Sequence, residues 1–253
     1  MISCILQYST IDFKFLECNL KQLKKLNGEI IVPVCSHLFN GDQENKILLD
    51  SSLKIIEKYN AKPIIFDWEW THKTSRYYHN LSRKIGTDNS NYDWLLFVDA
   101  DEIISDEFSE WFKTKNEEAN GFWLTCYWYF RQPIYRAKSL ESAGLLIKKN
   151  YCTWNVDDQN YERQQLFNKT PNFINGDFNK IFSKNNEPLV HHFSWVRNKE
   201  EMLLKVKNWG HNSDTWIDWN GLVHEEFSRE FSGKDFVHGY DYEIVDNKFN
   251  ISC

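Results

Sequence analysis

The sequence has no apolar run long enough to cross a bilayer. Its longest, Ile30 to Val34 and Leu95 to Val98, fall far short of the roughly 18 to 20 residues that a transmembrane helix needs, so no membrane span is expected. The N-terminal stretch Met1-Ile2-Ser3-Cys4-Ile5-Leu6-Gln7 lacks a basic leader and turns polar early. That pattern predicts no signal peptide and a cytoplasmic location. Paired CxxC spacings are missing too. Cys4, Cys18, Cys35, Cys126, Cys152 and Cys253 are scattered, several within apolar runs, and read as free thiols. Basic residues are not in excess: 30 Lys plus Arg face 36 Asp plus Glu, a net charge of −6. No overall positive field draws nucleic-acid phosphates, so no nucleic-acid partner is expected. Repeats, low-complexity tracts and Pro/Gly/Ser-rich linkers are absent as well. The 253 residues therefore read as a single domain, 1–253, with parts at 1–110, 111–198 and 199–253.

What is present is an ordinary globular balance, 42% hydrophobic and 26% charged, with one outlying figure: 16% aromatic, including 11 Trp. Core packing alone rarely calls for so many indoles. The first half alternates short apolar runs with amphipathic stretches, as strands joined by crossover helices do. Strands are expected at Ile2–Tyr8, Glu29–Cys35, Lys62–Asp67 and Trp94–Val98. Between them, Phe13 to Leu26 reads as a helix closed by Gly28, Ile47 to Tyr59 as a second, and Lys73 to Ile85 as a third ending at Gly86. Ser105 reads as the N-cap of a helix carrying Phe108, Trp111 and Phe112. Beyond it the period shortens. Gly121–Tyr135 reads as a strand or hairpin edge, and Leu145–Lys148, Gln165–Asn168 and Leu189–Val196 as strands, followed by an amphipathic helix at Lys199–Trp209 and an acidic, aromatic tail.

The chemistry concentrates at Trp94-Leu95-Leu96-Phe97-Val98-Asp99-Ala100-Asp101-Glu102. In an open α/β sheet ligands gather beyond the carboxyl ends of the strands, and here a buried strand delivers acids to that edge. Asp99 and Asp101, two apart in extended chain, point the same way and can share one hard divalent cation, with a nucleotide diphosphate completing its shell. The plain alternative is that these acids cap the helix that follows.

This segment resembles the DxD motif of GT-A-fold, family 2-like glycosyltransferases, and the first 110 residues are similar to their nucleotide-binding half. The resemblance implies an α/β fold with a Rossmann-like, mostly parallel central sheet flanked by helices, an aromatic-rich acceptor side and a C-terminal helical extension. It implies Mn²⁺ or Mg²⁺ on Asp99 and Asp101, a nucleotide-sugar donor with a UDP-sugar foremost, and a glycan or glycoconjugate acceptor. Val190-His191-His192-Phe193-Ser194-Trp195 is similar to the late strand whose histidine joins the metal. His192 matches better than His191, and strand alternation lets one of the two reach the site. Tyr8 and Ser9 at the end of strand one, and Asp67 at the end of strand three, are the expected nucleotide cradle. Arg76 resembles the helix arginine that approaches the diphosphate.

An inverting transferase needs a base for the acceptor hydroxyl. Here Gly176-Asp177-Phe178-Asn179-Lys180 departs from the family's pattern, leaving Asp158 or Asp177 as catalytic candidates and a retaining mechanism open. Trp123, Tyr127, Trp128, Tyr129, Phe130 and Tyr135 fall where an acceptor would stack, as do Trp195, Trp209, Trp216 and Trp219, although most are expected in the core. Two other readings compete. A nucleotidyltransferase of similar fold would carry a Gly-rich basic loop after strand one, which Tyr8-Ser9-Thr10-Ile11-Asp12 is not. A non-catalytic carbohydrate-binding protein would have no need of Asp99, Asp101 and His192 together.

Overall fold

The computed structural model describes residues 1–67, 74–158, 162–208 and 217–252. Apolar runs form the first strands: β1 (Ile2–Gln7), β2 (Glu29–Cys35), β3 (Lys62–Phe66) and β4 (Trp94–Asp99). The crossovers between them are α1 (Phe13–Lys24), α2 (Lys46–Lys58) and α3 (Ser75–Asp88). All four strands are parallel, in the order β3-β2-β1-β4. The chain therefore leaves β1 toward one edge and returns to its other side at β4.

The second half makes the sheet mixed. After β5 (Glu102–Ile104) and α4 (Phe108–Thr114), β6 (Gly121–Phe130) and β7 (Gln132–Lys148) form a long hairpin, turned by Arg131 at φ +57°. Then come β8 (Phe173–Asn175), β9 (Val190–Trp195), α5 (Lys199–Asn208), α6 (Trp219–Glu226) and β10 (Tyr242–Ile244). Among the described residues the sheet has ten strands in the order β3-β2-β1-β4-β7-β6-β9-β5, with β8 beside β6 and β10 beside β7.

Residues of one strand pack on opposite faces, as the pleat requires. Cys4, Leu6, Leu96 and Val98 join Leu16, Leu20 and Ile56 from α1 and α2, while Ile5, Leu95 and Phe97 meet Trp123 and Leu145 behind the sheet. Among the described residues five cysteines are free thiols, as expected.

Five local expectations change. Asn27 at φ +52°, not Gly28, takes the left-handed turn after α1; Gly28 is needed because a Cβ there would lie 2.1 Å from the Ile2 carbonyl oxygen. Gly86 sits inside α3, where its missing side chain lets the helix lie against Ile5. Ser105 does not cap α4: its hydroxyl is buried without a hydrogen-bond partner, and the N-cap is Glu107. Arg163–Leu166 forms a single 3₁₀ turn where the strand Gln165–Asn168 was expected, and the tail adds β10 to the sheet as well as a helix. Trp68, Trp70, Trp209, His211, Trp216 and Cys253 lie outside the described residues.

Candidate active site

The topology fixes where the acids go. β4 runs beside β1 with Gln7 opposite Asp99, and its ladder continues one bond further, from the Ala100 N–H to the Gln7 carbonyl at 2.9 Å. There the chain turns. Asn19 of α1, wholly buried, donates its amide to the carbonyls of Asp99, Ala100 and Glu102 at 3.2, 3.0 and 2.9 Å. Asp99 and Asp101 thereby both line a cavity of about 430 Å³ at the carboxyl ends of β1 and β4.

Pairing across the sheet brings the histidine. β5 is antiparallel to β9 with Glu102 opposite His192, and the Phe193 N–H donates to the Asp101 carbonyl at 2.8 Å. His192 Nε2 lies 3.7 Å from Asp101 Oδ1, and the ring lines the same cavity. His191 points away, with its Nδ1 2.8 Å from the Tyr129 hydroxyl.

Four cations surround the acids. Arg83 from α3, almost fully buried, donates to Asp99 at 3.0 Å and to Glu162 at 2.9 Å. Arg163 holds Glu102 in a two-pronged pair at 2.7 and 2.6 Å and lies 3.5 Å from Asp99. Arg197 reaches Asp101 at 3.5 Å and also bonds Asp12, while Lys205 lies 3.4 Å from Asp101. Burial on its own would raise these carboxyls, but Arg163 and Arg83 outweigh it and hold Asp99 far below the carboxylate range. Asp101 is likewise held down against burial by Lys205, His192 and Arg197. Glu162 is brought to about 2, burial being outweighed by His79 and Arg83.

The cavity also has polar atoms with no hydrogen-bond partner: both amide atoms of Gln7, both ring nitrogens of His79, and Nδ1 of His192. A buried polar atom left so costs roughly 1–3 kcal/mol. Several of them lining one cavity mark a place shaped for a polar ligand rather than for packing.

Tyr8 and Ser9 line the cavity, with Tyr8 hydrogen-bonded to Ser52. Asp67 and Arg76 do not. Asp67, the exposed residue just after β3, accepts from Ser36 Oγ at 2.9 Å and lies 3.1 Å from His37 Nδ1. Cys35, His37 and Asp67 are the grouping of three possible ligands, among the described residues, whose donor atoms lie within 4.8 Å of one another. Arg76 stands in the first turn of α3, and Arg83, two turns along, is the arginine of that helix that pairs with Asp99 and Glu162 of the cavity wall. Asp158 and Asp177 are also outside it. The first follows a turn and accepts from the Asn80 amide at its own backbone carbonyl, and the second is exposed after β8. The cavity's further carboxylates are Asp12, Glu141 and Glu162. Of the aromatic residues, Trp128, Trp195 and Trp219 line the cavity, whereas Trp123, Tyr129 and Phe130 belong to buried clusters.

Arg83, Arg163, Arg197, Lys205 and Asn19 carry no motif that would have named them. The one available signal was the helical spacing of Arg76, His79 and Arg83, which puts all three near one face of α3.

No protein-family model matches the sequence, and no curated protein is similar to it in sequence. Among solved structures, the chain is similar to residues 1–349 of TarS from S. aureus at 15% identity, over 90% of this chain and 72% of that one, with a TM-score of 0.47. It is similar to the glycosyltransferase GlyE of Streptococcus pneumoniae at 14% identity over 89% and 63%, TM-score 0.41. It is also similar to the inositol-1-phosphate CTP transferase of T. maritima at 8% identity over 81% and 96%, TM-score 0.46.

Proposed function

We propose that the protein is a metal-dependent glycosyltransferase that moves a sugar from a nucleotide-sugar donor to an acceptor hydroxyl. One observation carries this reading: Asp99, Asp101 and His192 converge on a cavity at the carboxyl ends of β1 and β4. The strand order reverses there, and open α/β sheets bind nucleotides at such a point. Asp101 and His192 fit a divalent ion. Their facing atoms are 3.7 Å apart, a span that bonds of about 2 Å from each to one ion can bridge. Asp99, which does not form with them a group of ligand atoms within 4.8 Å of one another, would have to give up an arginine and turn toward the ion to join, and the mixed oxygen and imidazole set would suit Mn²⁺ as well as Mg²⁺. The bound ion would neutralise charge developing on a diphosphate leaving group.

The chain's own groups do the rest of the positioning. Arg197 and Lys205 stand on the other side of Asp101, where guanidinium and ammonium groups can hold phosphate oxygens. Tyr8 and Ser9 offer the nucleoside an edge at the end of β1, with Asp67 and Arg76 as outlying contacts for base and phosphate. Trp128, Trp195 and Trp219 provide apolar faces for a glycan acceptor to stack upon.

The test is a donor panel. With Mn²⁺ present, at least one of a set of UDP-, GDP- and CMP-sugars is expected to bind or hydrolyse slowly, and EDTA is expected to abolish this. Asp101→Asn should weaken metal-dependent binding by more than the roughly 10- to 100-fold that loss of an outer partner costs, with an unchanged melting profile. If no member of the panel shows metal-dependent binding, the reading fails. Production of a nucleotide sugar from a sugar phosphate and a nucleoside triphosphate would identify nucleotidyl transfer instead.

A further inference from the structure

The cavity contains a second chemical group that the donor reading leaves unused. Glu141 projects from β7 into it, and His238 arrives from the tail, its Nδ1 3.2 Å from Glu141 Oε1. Glu141 also accepts from the Tyr240 hydroxyl, and burial raises its carboxyl above the usual value.

This arrangement is built. Asp235 is almost fully buried. Its Oδ1 accepts the backbone N–H groups of Val237, His238 and Gly239 at 2.7, 2.5 and 3.3 Å. Its Oδ2 takes Tyr240 N–H at 3.0 Å and the Tyr242 hydroxyl at 3.1 Å. Gly239 turns at φ +71°, which an L side chain rarely adopts. β10 then fastens the loop to β7, with Tyr242 opposite Ala137. A single indole separates the pair from the metal ligands. Trp128 lies opposite His192 in the sheet and meets its ring edge-on at 4.9 Å and that of His238 at 4.8 Å.

We propose that His238, backed by Glu141, is the base that takes the proton from the acceptor hydroxyl, a deduction that rests on the transferase reading above. A carboxylate on Nδ1 fixes the neutral ring with its proton on that atom and leaves Nε2 free to accept. In the step, the acceptor O–H gives its proton to Nε2 and its oxygen bonds to the anomeric carbon. The bond from that carbon to the diphosphate oxygen breaks, and the nucleoside diphosphate leaves with the electron pair. Glu141 stabilises the imidazolium until it returns the proton to water. A single displacement inverts the anomeric configuration.

Water serves as acceptor in the test, so the readout is donor hydrolysis by the full chain with Mn²⁺, alongside calorimetric donor binding. His238→Gln is expected to lower kcat by about 10²- to 10⁴-fold, the usual share of a general base, with KM and donor affinity within a factor of about three of wild type. Glu141→Gln should give a smaller loss of the same kind, and imidazole should restore turnover to His238→Gly. The product of transfer should be inverted. Donor binding retained with turnover unchanged in both His238 variants, or retention of configuration, overturns the assignment. If the wild-type chain binds no donor, the transferase reading itself falls and takes the base with it. Should His238→Gly not fold, His238→Gln decides alone.

Discussion

His191 is buried among Tyr129, Phe193 and Phe249, one residue from a ring that lines the candidate-site cavity. Strand alternation explains how neighbours of one type receive opposite tasks. Alternation said that one of the pair could reach the site; His192 was preferred for its resemblance to the family's late histidine strand, and Asp99 and Asp101 stood out because an apolar run ended on them. Arg83 was not legible, since a buried arginine on a helix looks like any solvated one until the acid it faces is known. Burial, reinforced by Lys248 and Arg136, holds the His191 imidazole down at about 3, against about 6.5 in the unfolded chain. Between those values the unfolded chain binds more protons than the folded one. The stability is therefore complete above about pH 6.5 and drains away as pH falls toward 3, by about 2 kcal/mol at pH 5. Urea unfolding at pH 7 and pH 5 should show a drop between the two that is smaller by about that amount in His191→Phe. Equal drops in variant and wild type would show that the ring does not stay neutral on folding.

At the scale of elements, the four parallel strands were readable because each is a short apolar run between amphipathic stretches. Boundaries that depend on contact were not. Gly86 resembles a helix end but lies inside α3, where Ile5 leaves no room for a side chain. Strand β10 has just three residues, Tyr242–Ile244, too few for any period to show. The pairing of Glu141 with His238 depends on that strand, so neither residue could be singled out in advance. The turn after β4 is held from outside by α1, through the Asn19 amide. Replacing it leaves three carbonyl oxygens short of that donor in a buried place, at a cost of roughly 1–3 kcal/mol. Asn19→Ala is thus expected to lose about 2 kcal/mol in urea unfolding and, on the proposed reading, to weaken metal-dependent nucleotide binding, because the acids lose their fixed spacing. A variant that loses the stability yet binds as wild type would separate the turn's packing from its function.

On the scale of the whole molecule, a net charge of −6 says little about what a phosphate meets on arrival. Of the carboxylates on the cavity wall, Asp12, Asp99, Asp101, Glu102 and Glu162 are each already paired with Arg163, Arg197 or Lys205 of the same wall or with Arg83 behind it, and Glu141 faces His238. A divalent ion entering by itself must displace cations that already satisfy Asp99 and Asp101. A diphosphate entering by itself must compete with carboxylates for the same cations. Entering together, the ion takes the carboxylates and the diphosphate takes the arginines and lysine they release, so each ligand removes the obstacle to the other. On the proposed reading, Mn²⁺ and UDP should therefore bind with positive coupling in the usual range of about 1–3 kcal/mol, some 5- to 150-fold. Linkage demands that Mn²⁺ raise the affinity for UDP by the same factor as UDP raises the affinity for Mn²⁺. Calorimetric titration in both orders measures the two factors. Lys205→Met should shrink them, since it removes a cation that the exchange sets free, and independent binding of the two ligands would show that the acids and cations of this cavity do not trade partners.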